Sequence, residues 1–323
     1  MQRIVCTEWG PPEALVLTDE PDPVPGEGQV LVEVAAAGVN FVDALFVAGT
    51  YQIKVPPPFT PGSELAGTVT AVGPGVELIE VGDRVLSSLG LGAFATHAVL
   101  PALGVTRIPD SLELTTAAAV VQSYCTAWFA LRRRTTVRPD ETVLVLGAGG
   151  GVGLATIDVA RSLGARVIAA ASSDEKLEAA RAMGAHETIA YEREDLKLRA
   201  RDLSEGGVDV VVDPVGGPHT DPALRALGVF GRLVVIGFAA GSIASLPANQ
   251  VLLKNRTVVG VDWGAWAMQH PASQAVVLDE VLDAVRLGDL HPVAPHQRPL
   301  AEAGAVLREL LDRRLQGKTV LVP

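Results

Sequence analysis

The stretch VLVLGAGGGVGLATIDVA, residues 143–160, constrains the fold more than any other part of the chain. Its pattern predicts a strand, a tight turn and an amphipathic helix. A dinucleotide fingerprint that starts at Ala148 puts Ala148, Gly150 and Gly153 at its three key positions. Gly150 would let backbone N–H groups approach a pyrophosphate, and Gly153 would let the helix pack closely on the strand. We predict a dinucleotide site here, with a purely structural turn as the alternative. The predicted cofactor contacts of the loop are Gly149, Gly150, Gly151, Val152 and Gly153.

The length of 323 residues exceeds the usual size of one hydrophobic core, so we expect two domains. The first third of the chain carries short β-branched runs separated by turn residues, which is typical of a small all-β barrel. From Thr115 onward, short apolar strands alternate with helical patterns, which predicts βαβ units and a parallel sheet. We assign residues 1–122 and 266–323 to the first domain and residues 123–265 to the second.

The composition excludes several classes of protein. A net charge of -11 argues against nucleic acid as a partner, because phosphate binding needs clustered Lys and Arg. The basic run 132–138 is interpreted as a solvated helix end, with an anion site as the alternative. Two cysteines are too few for a disulfide framework or a four-thiolate zinc site. Since no apolar run has membrane-spanning length and the start does not look like a signal peptide, we expect a soluble, cytoplasmic protein without membrane contact.

The choice of dinucleotide depends on the end of the second βαβ strand, in ARVIAAASSDEK. Sites that prefer NAD usually place a carboxylate there to bind the ribose 2′-hydroxyl group. This chain offers Ser172 and Ser173, with Lys176 one turn further on. Asp174 and Glu175 are the counterargument, but they fall at the start of the next helix, where acidic residues complement the helix dipole. The pattern favours NADPH over NADH.

The order of motifs along the chain resembles the medium-chain dehydrogenase/reductase superfamily, and within it the zinc-independent NADPH:quinone oxidoreductases. The resemblance covers nearly the whole chain and rests on GVNFVDALFVAGTYQ, PFTPGSELAGTVTAVGPGV, VGDRV, GAGGGVG, AAASSDEK, DPVGG, GRLVVIGF and LLKNRTVVGVDWG. It implies an α/β fold in which a GroES-like β-barrel catalytic domain accompanies a Rossmann domain, a doubly wound parallel sheet that binds NADPH. The implied activity is metal-free hydride transfer from NADPH to a quinone.

Similar alcohol dehydrogenases hold a catalytic zinc ion with a Cys, a His in a Gly-His-Glu turn and a later Cys or acid. The matching positions here are Asn40, Ser63 and Gln122, which do not form a plausible set of zinc ligands. The resemblance therefore implies no metal site. Reduction of a quinone or a conjugated enone gives an anion whose charge is delocalised, so hydrogen-bond donors can replace a Lewis acid.

The resemblance implies catalytic roles for Asn40, Asp43 and Tyr51. Asn40 would offer its side-chain NH₂ group to the nicotinamide ribose or the substrate oxygen, and Asp43 would orient its neighbours. The hydroxyl group of Tyr51 could bind a substrate carbonyl, or its ring could stack on a quinone. The alternatives are a buried Asn40 and Asp43 couple that only ties the barrel together, and an ordinary loop tyrosine. No side chain in this set is an obvious general acid near pH 7, so the product proton would come from solvent or Tyr51.

Further cofactor contacts follow from the same resemblance. Thr126 would approach the nicotinamide ring, and Tyr191 would stand at the rim of the 2′-phosphate pocket. Backbone groups at two strand tips would hold the carboxamide, with core packing as the alternative for the aromatic residues there. Lys318, near the end of the chain, is a further candidate for cofactor contact, with an ordinary solvated lysine as the alternative. This set comprises Asn40, Thr126, Tyr191, Val215, Gly237, Phe238, Trp263 and Lys318.

Three functions remain open at this point. An NADPH-dependent quinone reductase leads, reduction of an enone or enoyl-thioester C=C bond shares every cofactor feature, and a non-catalytic NADPH-binding protein is the third. The substrate would be a small molecule. The run VLLKNRTVVGVDW is predicted to be the last strand of the Rossmann sheet, and its exposed edge leads us to expect a homodimer through residues 250–263.

Overall fold

The computed structural model describes residues 1–88 and 90–323. It divides into two compact units, Met1–Gln122 with Val293–Pro323, and Ser123–Pro292. The strands are β1 (Gln2–Val5), β2 (Val16–Asp19), β3 (Gln29–Gly38), β4 (Glu64–Val72), β5 (Arg84–Ser88), β6 (His97–Pro101), β7 (Val105–Arg107), β8 (Thr142–Leu146), β9 (Arg166–Ala171), β10 (Glu187–Ala190), β11 (Val208–Asp213), β12 (Leu227–Val235), β13 (Thr257–Gly260), β14 (His296–Pro299) and β15 (Thr319–Val322).

Most helices lie in the second unit, where they connect the strands. The helices are α1 (Phe41–Val47), α2 (Leu114–Ala117), α3 (Val121–Trp128), α4 (Gly151–Ser162), α5 (Asp174–Ala182), α6 (Leu196–Leu203), α7 (Thr220–Ala226), α8 (Ala248–Leu252), α9 (Trp263–Gln269), α10 (Pro271–Leu287) and α11 (Ala303–Leu311). Their ends follow local chemistry: Ser173 caps α5, and Gly288 ends α10 in the left-handed conformation with φ +79°. Within the described residues, no helix is both long and apolar enough to cross a membrane.

The first unit is built on a mixed sheet with the order β14-β15-β3-β4-β5-β7, in which β6 also pairs with β3. All its ladders are antiparallel except that of β14 with β15. Alternating apolar residues of β3, such as Val30, Val32 and Val34, are buried in the core beside Leu65 and Phe94. The C-terminal strand β15 pairs with the end of β3, so the last residues of the chain return to the start of α1.

The second unit contains a six-stranded parallel sheet with the order β10-β9-β8-β11-β12-β13. The order reverses between β8 and β11, which is the switch point of a doubly wound sheet. Strands such as β8 and β11 are apolar on both faces because helices cover both sides. The predicted fold class, a GroES-like domain with a Rossmann domain, is confirmed.

Residues 266–292 belong to the second unit, whereas sequence analysis placed them in the first domain. The reason is side-chain packing on α3 and on the segment that follows it. Glu280 of α10 accepts hydrogen bonds from Nε1 of Trp128 at 2.7 Å and from Arg133 at 2.6 Å. The ring of Trp266 packs on Phe129, with centroids 4.5 Å apart.

The basic run after α3 is engaged with its own unit. Arg132 lies over the ring of Trp128 at 4.5 Å. Arg134 donates to the carbonyl oxygen of Gly260 at 3.0 Å, and Arg138 pairs with Glu141 at 2.9 Å. The side chains of Arg132, Arg133, Arg134 and Arg138 are all exposed, so these surface contacts are compatible with the predicted solvated helix end.

Candidate active site

The loop between β8 and α4 depends on close backbone approaches. Gly147 turns the chain directly after β8 with φ +59°, a conformation that glycine adopts without strain. Gly150 caps α4 in an extended conformation. A methyl group on Gly153 would lie 2.2 Å from the carbonyl oxygen of Gly147, so α4 packs directly against the turn. Gly147, rather than Ala148, therefore makes the tight turn of this loop.

The glycine loop touches the start of α5, which follows β9. A methyl group on Gly149 would lie 2.4 Å from Cβ of Lys176. The hydroxyl group of Ser173 accepts a hydrogen bond from the backbone N–H of Lys176 at 3.4 Å, and Ser172 is half-buried beside it. The residues predicted to hold a 2′-phosphate thus lie beside the residues predicted to hold a pyrophosphate.

Tyr191 follows β10, the neighbour of β9 in the sheet. Its backbone N–H donates to the carbonyl oxygen of Ala171 at 3.3 Å. Its ring packs on His219 with centroids 4.3 Å apart. Because His219 ends a short turn after β11, the ends of three strands converge here, as the carboxyl ends of a parallel sheet do. Sequence analysis gave His219 no role.

The turn after β11 is organised by Asp213, which sequence analysis also missed. Asp213 is fully buried. Its Oδ1 accepts the backbone N–H groups of Val215 and Gly216 at 2.9 and 2.8 Å, and its Oδ2 accepts the Thr220 hydroxyl group at 2.7 Å. An aspartate that ends an apolar strand before Pro-Val-Gly-Gly was the available signal, because Asp often bonds backbone N–H groups two residues on.

The residues predicted at the ends of β12 and β13 have different surroundings. Phe238, next to Gly237, is 40% exposed and lies beside Gly216. Trp263 is buried at the start of α9, and its Nε1–H donates to Gln274 at 2.6 Å. The Trp263 indole is therefore part of the core, which leaves only its backbone for cofactor contact.

Thr126 lies on α3 and has little exposed surface. The neighbouring Cys125 is fully buried, and its sulfur accepts a hydrogen bond from Gln274 at 3.7 Å. Neither Cys125 nor Cys6 forms a disulfide.

In the first unit, Asn40 and Asp43 form the start of α1. Asn40 is the N-cap residue, directly after β3 turns into the helix, and Asp43 is the third residue of the helix. The backbone N–H of Asn40 donates to Oδ2 of Asp43 at 2.7 Å, the reciprocal bond of a capping box. The structure therefore places both residues at the start of a helix.

A buried ion pair lies beside this helix start. Glu64, fully buried at the start of β4, pairs with Nζ of Lys318 at 2.6 Å. The side-chain NH₂ group of Asn40 donates to Glu64 at 2.9 Å and to the Ser63 hydroxyl group at 3.2 Å, and the side-chain oxygen of Asn40 accepts from Lys318. Both donors of the Asn40 amide are thus engaged within the protein. Sequence analysis had expected Asn40 to offer that group to a ligand.

The positions that match zinc ligands in similar dehydrogenases do come together. Asn40 and Ser63 are hydrogen-bonded, and the backbone N–H of Gln122 donates to Glu64 at 2.8 Å. We call Asn40, Ser63, Glu64 and Lys318 the polar cluster. Across residues 1–88 and 90–323, no three His, Cys, Asp or Glu side chains converge as metal ligands would. The positive charge that faces Glu64 in the polar cluster is the ammonium group of Lys318.

Asp43, which sequence analysis expected only to orient its neighbours, is a carboxyl group with a strongly raised pKa. It has no exposed surface, and its Oδ1 has no hydrogen-bond partner among the described residues. Burial raises the pKa of Asp43 from 3.8 to about 7, against the opposing effects of the Asn40 N–H, the Ser63 hydroxyl group and the Lys318 charge. The Ser63 hydroxyl group lies near enough to affect this pKa without completing a hydrogen bond to Oδ1.

Tyr51 lies beyond the other end of α1. Its backbone N–H donates to the carbonyl oxygen of Leu45 at 3.2 Å, and its ring packs on Phe46 with centroids 4.7 Å apart. Tyr51 is half-exposed. The helix thus separates Tyr51 from Asn40, which caps its first turn.

The fold and these two sites define a medium-chain dehydrogenase/reductase. Residues 26–110 match the alcohol dehydrogenase GroES-like domain, and residues 151–279 match the family described as zinc-binding dehydrogenase. The chain belongs to the quinone oxidoreductase family of this superfamily, which confirms the resemblance seen in the sequence.

Individual relatives cover most or all of the chain. Quinone oxidoreductase-like protein 2 of Bos taurus is 41% identical over 91% of this chain and 84% of its own length. Quinone oxidoreductase of Pseudomonas aeruginosa is 35% identical and covers 100% of this chain and 99% of its own length. The crystal structure of Escherichia coli quinone oxidoreductase complexed with NADPH is 28% identical, covers 100% of both chains and has a TM-score of 0.90.

Proposed function

We propose that this protein is an NADPH-dependent oxidoreductase that transfers a hydride to a quinone without a metal ion. The observation that carries the proposal is the polar cluster, in which Lys318 provides a positive charge and Asn40 and Ser63 stand where zinc ligands would be. The family relatives, which include a quinone oxidoreductase solved with NADPH, support the same cofactor and reaction.

The residues of the second unit fit NADPH. Gly149 packs against Lys176 and Gly153 against the Gly147 turn, whereas Gly150 is open enough for a ligand to approach the backbone of the loop closely. The N–H groups at the start of α4 would hold the pyrophosphate. Ser172, Ser173 and Lys176 would hold the 2′-phosphate with two hydroxyl groups and an ammonium group. When bound, NADPH supplies the hydride.

The polar cluster would hold the charge that develops on the substrate. Two electrons and one hydrogen nucleus reach the quinone as hydride, which leaves a hydroquinone anion that takes its proton from solvent. An ammonium group has three N–H donors. Lys318 directs two of them to Glu64 and Asn40. Within the described residues nothing accepts the third, so we assign it to the anion or the nicotinamide ribose.

Asn40 would act through Lys318. Its amide bridges Glu64 and Lys318, which holds the ammonium group in one orientation. This role replaces the direct donation expected from the sequence. Tyr51 would line the substrate side of the first unit, where its ring can stack on a planar quinone.

The deciding experiment measures NADPH oxidation with a panel of quinones and a panel of enones, before and after dialysis against a chelator. We expect turnover of quinones that the chelator does not change. Turnover restricted to enones would assign C=C reduction instead. Stoichiometric zinc that leaves together with the activity would contradict the metal-free mechanism, and NADPH binding without turnover on either panel would contradict an enzymatic function.

We also propose that the protein is a homodimer through residues 250–263 and works in the cytoplasm on a small-molecule substrate, with no nucleic-acid or membrane partner. The edge strand β13 and the exposed Leu252 and Leu253 support the dimer. Two cysteines that form no disulfide are consistent with a reducing compartment. The negative net charge disfavours nucleic acid.

A further inference from the structure

The proposed 2′-phosphate site carries an electrostatic conflict. Asp174 follows Ser172 and Ser173 directly, so a carboxylate stands one residue from the groups that would bind a dianionic phosphate. Like charges at such range repel each other and weaken binding. An uncompensated Asp174 would therefore favour NADH, which lacks the 2′-phosphate.

The structure shows how that carboxylate is neutralised. Arg193 lies two residues beyond Tyr191, in the turn that follows β10. Its Nη1 donates to Oδ2 of Asp174 at 2.9 Å, and its Nη2 donates to Oδ1. This is the bidentate geometry in which guanidinium and carboxylate pair best. The hydrogen bond from Arg193 also lowers the pKa of Asp174, so the pair is charged at neutral pH.

The pair connects two strand ends that both border the site. Asp174 begins α5 after β9, and Arg193 follows β10, the adjacent parallel strand. Both side chains are largely exposed, at 69% and 61%. An exposed pair of this kind adds little to folding stability. Because the pair lies beside Ser172, Ser173 and Lys176, it instead affects how strongly a negatively charged ligand binds there.

We propose that Arg193 is a specificity-determining residue for NADPH, because it cancels the charge of Asp174 at the edge of the 2′-phosphate site. The inference rests on the proposed function in one respect, that the cofactor is a dinucleotide bound in the second unit. Arg193 acts on the phosphate through Asp174, so its effect disappears when Asp174 carries no charge.

The test is a double-mutant cycle on the whole protein with Arg193→Gln, Asp174→Asn and the double variant. Dissociation constants for NADPH and for NADH are measured by cofactor fluorescence, without turnover.

We expect Arg193→Gln to weaken NADPH binding about fivefold at low ionic strength, while NADH binding changes less than about twofold. This is the size of effect expected for one exposed charge. Asp174→Asn should bind NADPH at least as tightly as the natural protein. The double variant should match Asp174→Asn. The carboxylate of Glu175 is present in all four proteins, so its contribution cancels.

Salt and a matched arginine provide the controls. The Arg193→Gln effect should shrink between about 0.01 M and 0.1 M ionic strength, as the Debye length falls from ~30 to ~10 Å. Arg286 pairs with Asp283 on α10, and their side chains are 56% and 65% exposed. They form a similar surface pair elsewhere in the same unit. Arg286→Gln should leave both dissociation constants unchanged.

Two outcomes would overturn the inference. One is NADPH binding by Arg193→Gln that equals that of the natural protein. The other is a double variant that remains as weak as Arg193→Gln, because Arg193 would then bind the phosphate directly. A protein that binds neither dinucleotide in its natural form would instead contradict the proposed function.

Discussion

At the scale of single residues, the buried carboxyl groups of Asp43 and Glu64 both lie near the ammonium group of Lys318. Glu64 receives hydrogen bonds from Lys318, Asn40 and the backbone of Gln122. Asp43 accepts the backbone N–H of Asn40 through Oδ2, while its Oδ1 has no hydrogen-bond partner among the described residues. Because desolvation on burial outweighs the hydrogen bonds and the Lys318 charge, the pKa of Asp43 rises to about 7.

Asp43 should make the free energy of unfolding depend on pH. A folded-state pKa raised from 3.8 to about 7 means that the folded state binds the proton more tightly than the unfolded state does. The resulting stability is complete below about pH 4 and is lost as pH rises to about 7, on the order of 4 kcal/mol at most. Asp43→Asn should remove this part of the pH dependence and be at least as stable as the natural protein at pH 8.

Denaturant unfolding between pH 4.5 and pH 8 measures this effect, with the exposed Asp110→Asn of the same unit as the control. Asp110→Asn should follow the natural curve. If Asp43→Asn and the natural protein give parallel curves over the whole range, Asp43 does not titrate there.

Lys318 should matter for both stability and activity. Lys318→Met leaves Glu64 buried without its cation, so we expect a loss of about 3 kcal/mol or more in unfolding free energy and about 10²-fold in kcat/KM for a quinone. The double variant Glu64→Gln with Lys318→Met should recover stability, since neither charge remains. It should not recover activity, since the ammonium donor is still missing.

Thermal unfolding and quinone kinetics on both variants separate the two roles. Full activity in the double variant would make Lys318 a structural residue and would leave the donor to the substrate unidentified. Lys318→Arg adds a comparison in which the charge stays and its position changes.

At the scale of elements, the junction between β8 and α4 contains two glycines with different roles. Gly153 is needed for packing, and Gly150 is proposed to be needed for ligand binding. A methyl group on Gly153 would lie 2.2 Å from a backbone oxygen, whereas one on Gly150 would lie 3.5 Å from the same atom, an ordinary contact. Gly153→Ala should therefore destabilise the cofactor-free protein by about 1–3 kcal/mol. Gly150→Ala should leave its stability nearly unchanged and weaken NADPH, because the methyl group would stand where the pyrophosphate approaches.

Unfolding without cofactor and NADPH titration distinguish the two substitutions. Equal loss of stability in both variants would show that Gly150 serves the turn alone. Unchanged NADPH binding in Gly150→Ala would place the pyrophosphate elsewhere.

At the scale of the whole molecule, strand β13 lies at the end of the parallel sheet and, among the described residues, pairs with β12 alone. Val258 on this strand is 38% exposed, and Leu252 and Leu253 before it are 77% and 56% exposed. Apolar residues on an open edge favour pairing with a second copy. We expect a dimer at micromolar concentration and a monomer after Val258→Lys, because Lys on an edge strand opposes such pairing.

Sedimentation velocity measures the change, and Leu103→Lys is the matched control. Leu103 is 96% exposed in the first unit, so its replacement should leave the dimer intact. A natural protein that sediments as a monomer at this concentration would contradict the proposed interface.

The sequence by itself determined the parts of the protein that depend on local pattern. The glycine loop, the alternation of strands and helices and the serines after β9 are each short-range signals, and the order of motifs identified the family. The absence of zinc-ligand residue types at positions 40, 63 and 122 was also readable from residue types alone.

Only the tertiary structure decided which groups meet across long sequence separations. Lys318 reaches Glu64 because β15 pairs with β3, and Arg193 reaches Asp174 because β10 lies beside β9. The placement of residues 266–292 depended on contacts with α3 and the turn after it. The raised pKa of Asp43 likewise depends on complete burial, which no local pattern reports. Charge interactions and desolvation depend on distance in space, and strand order sets that distance.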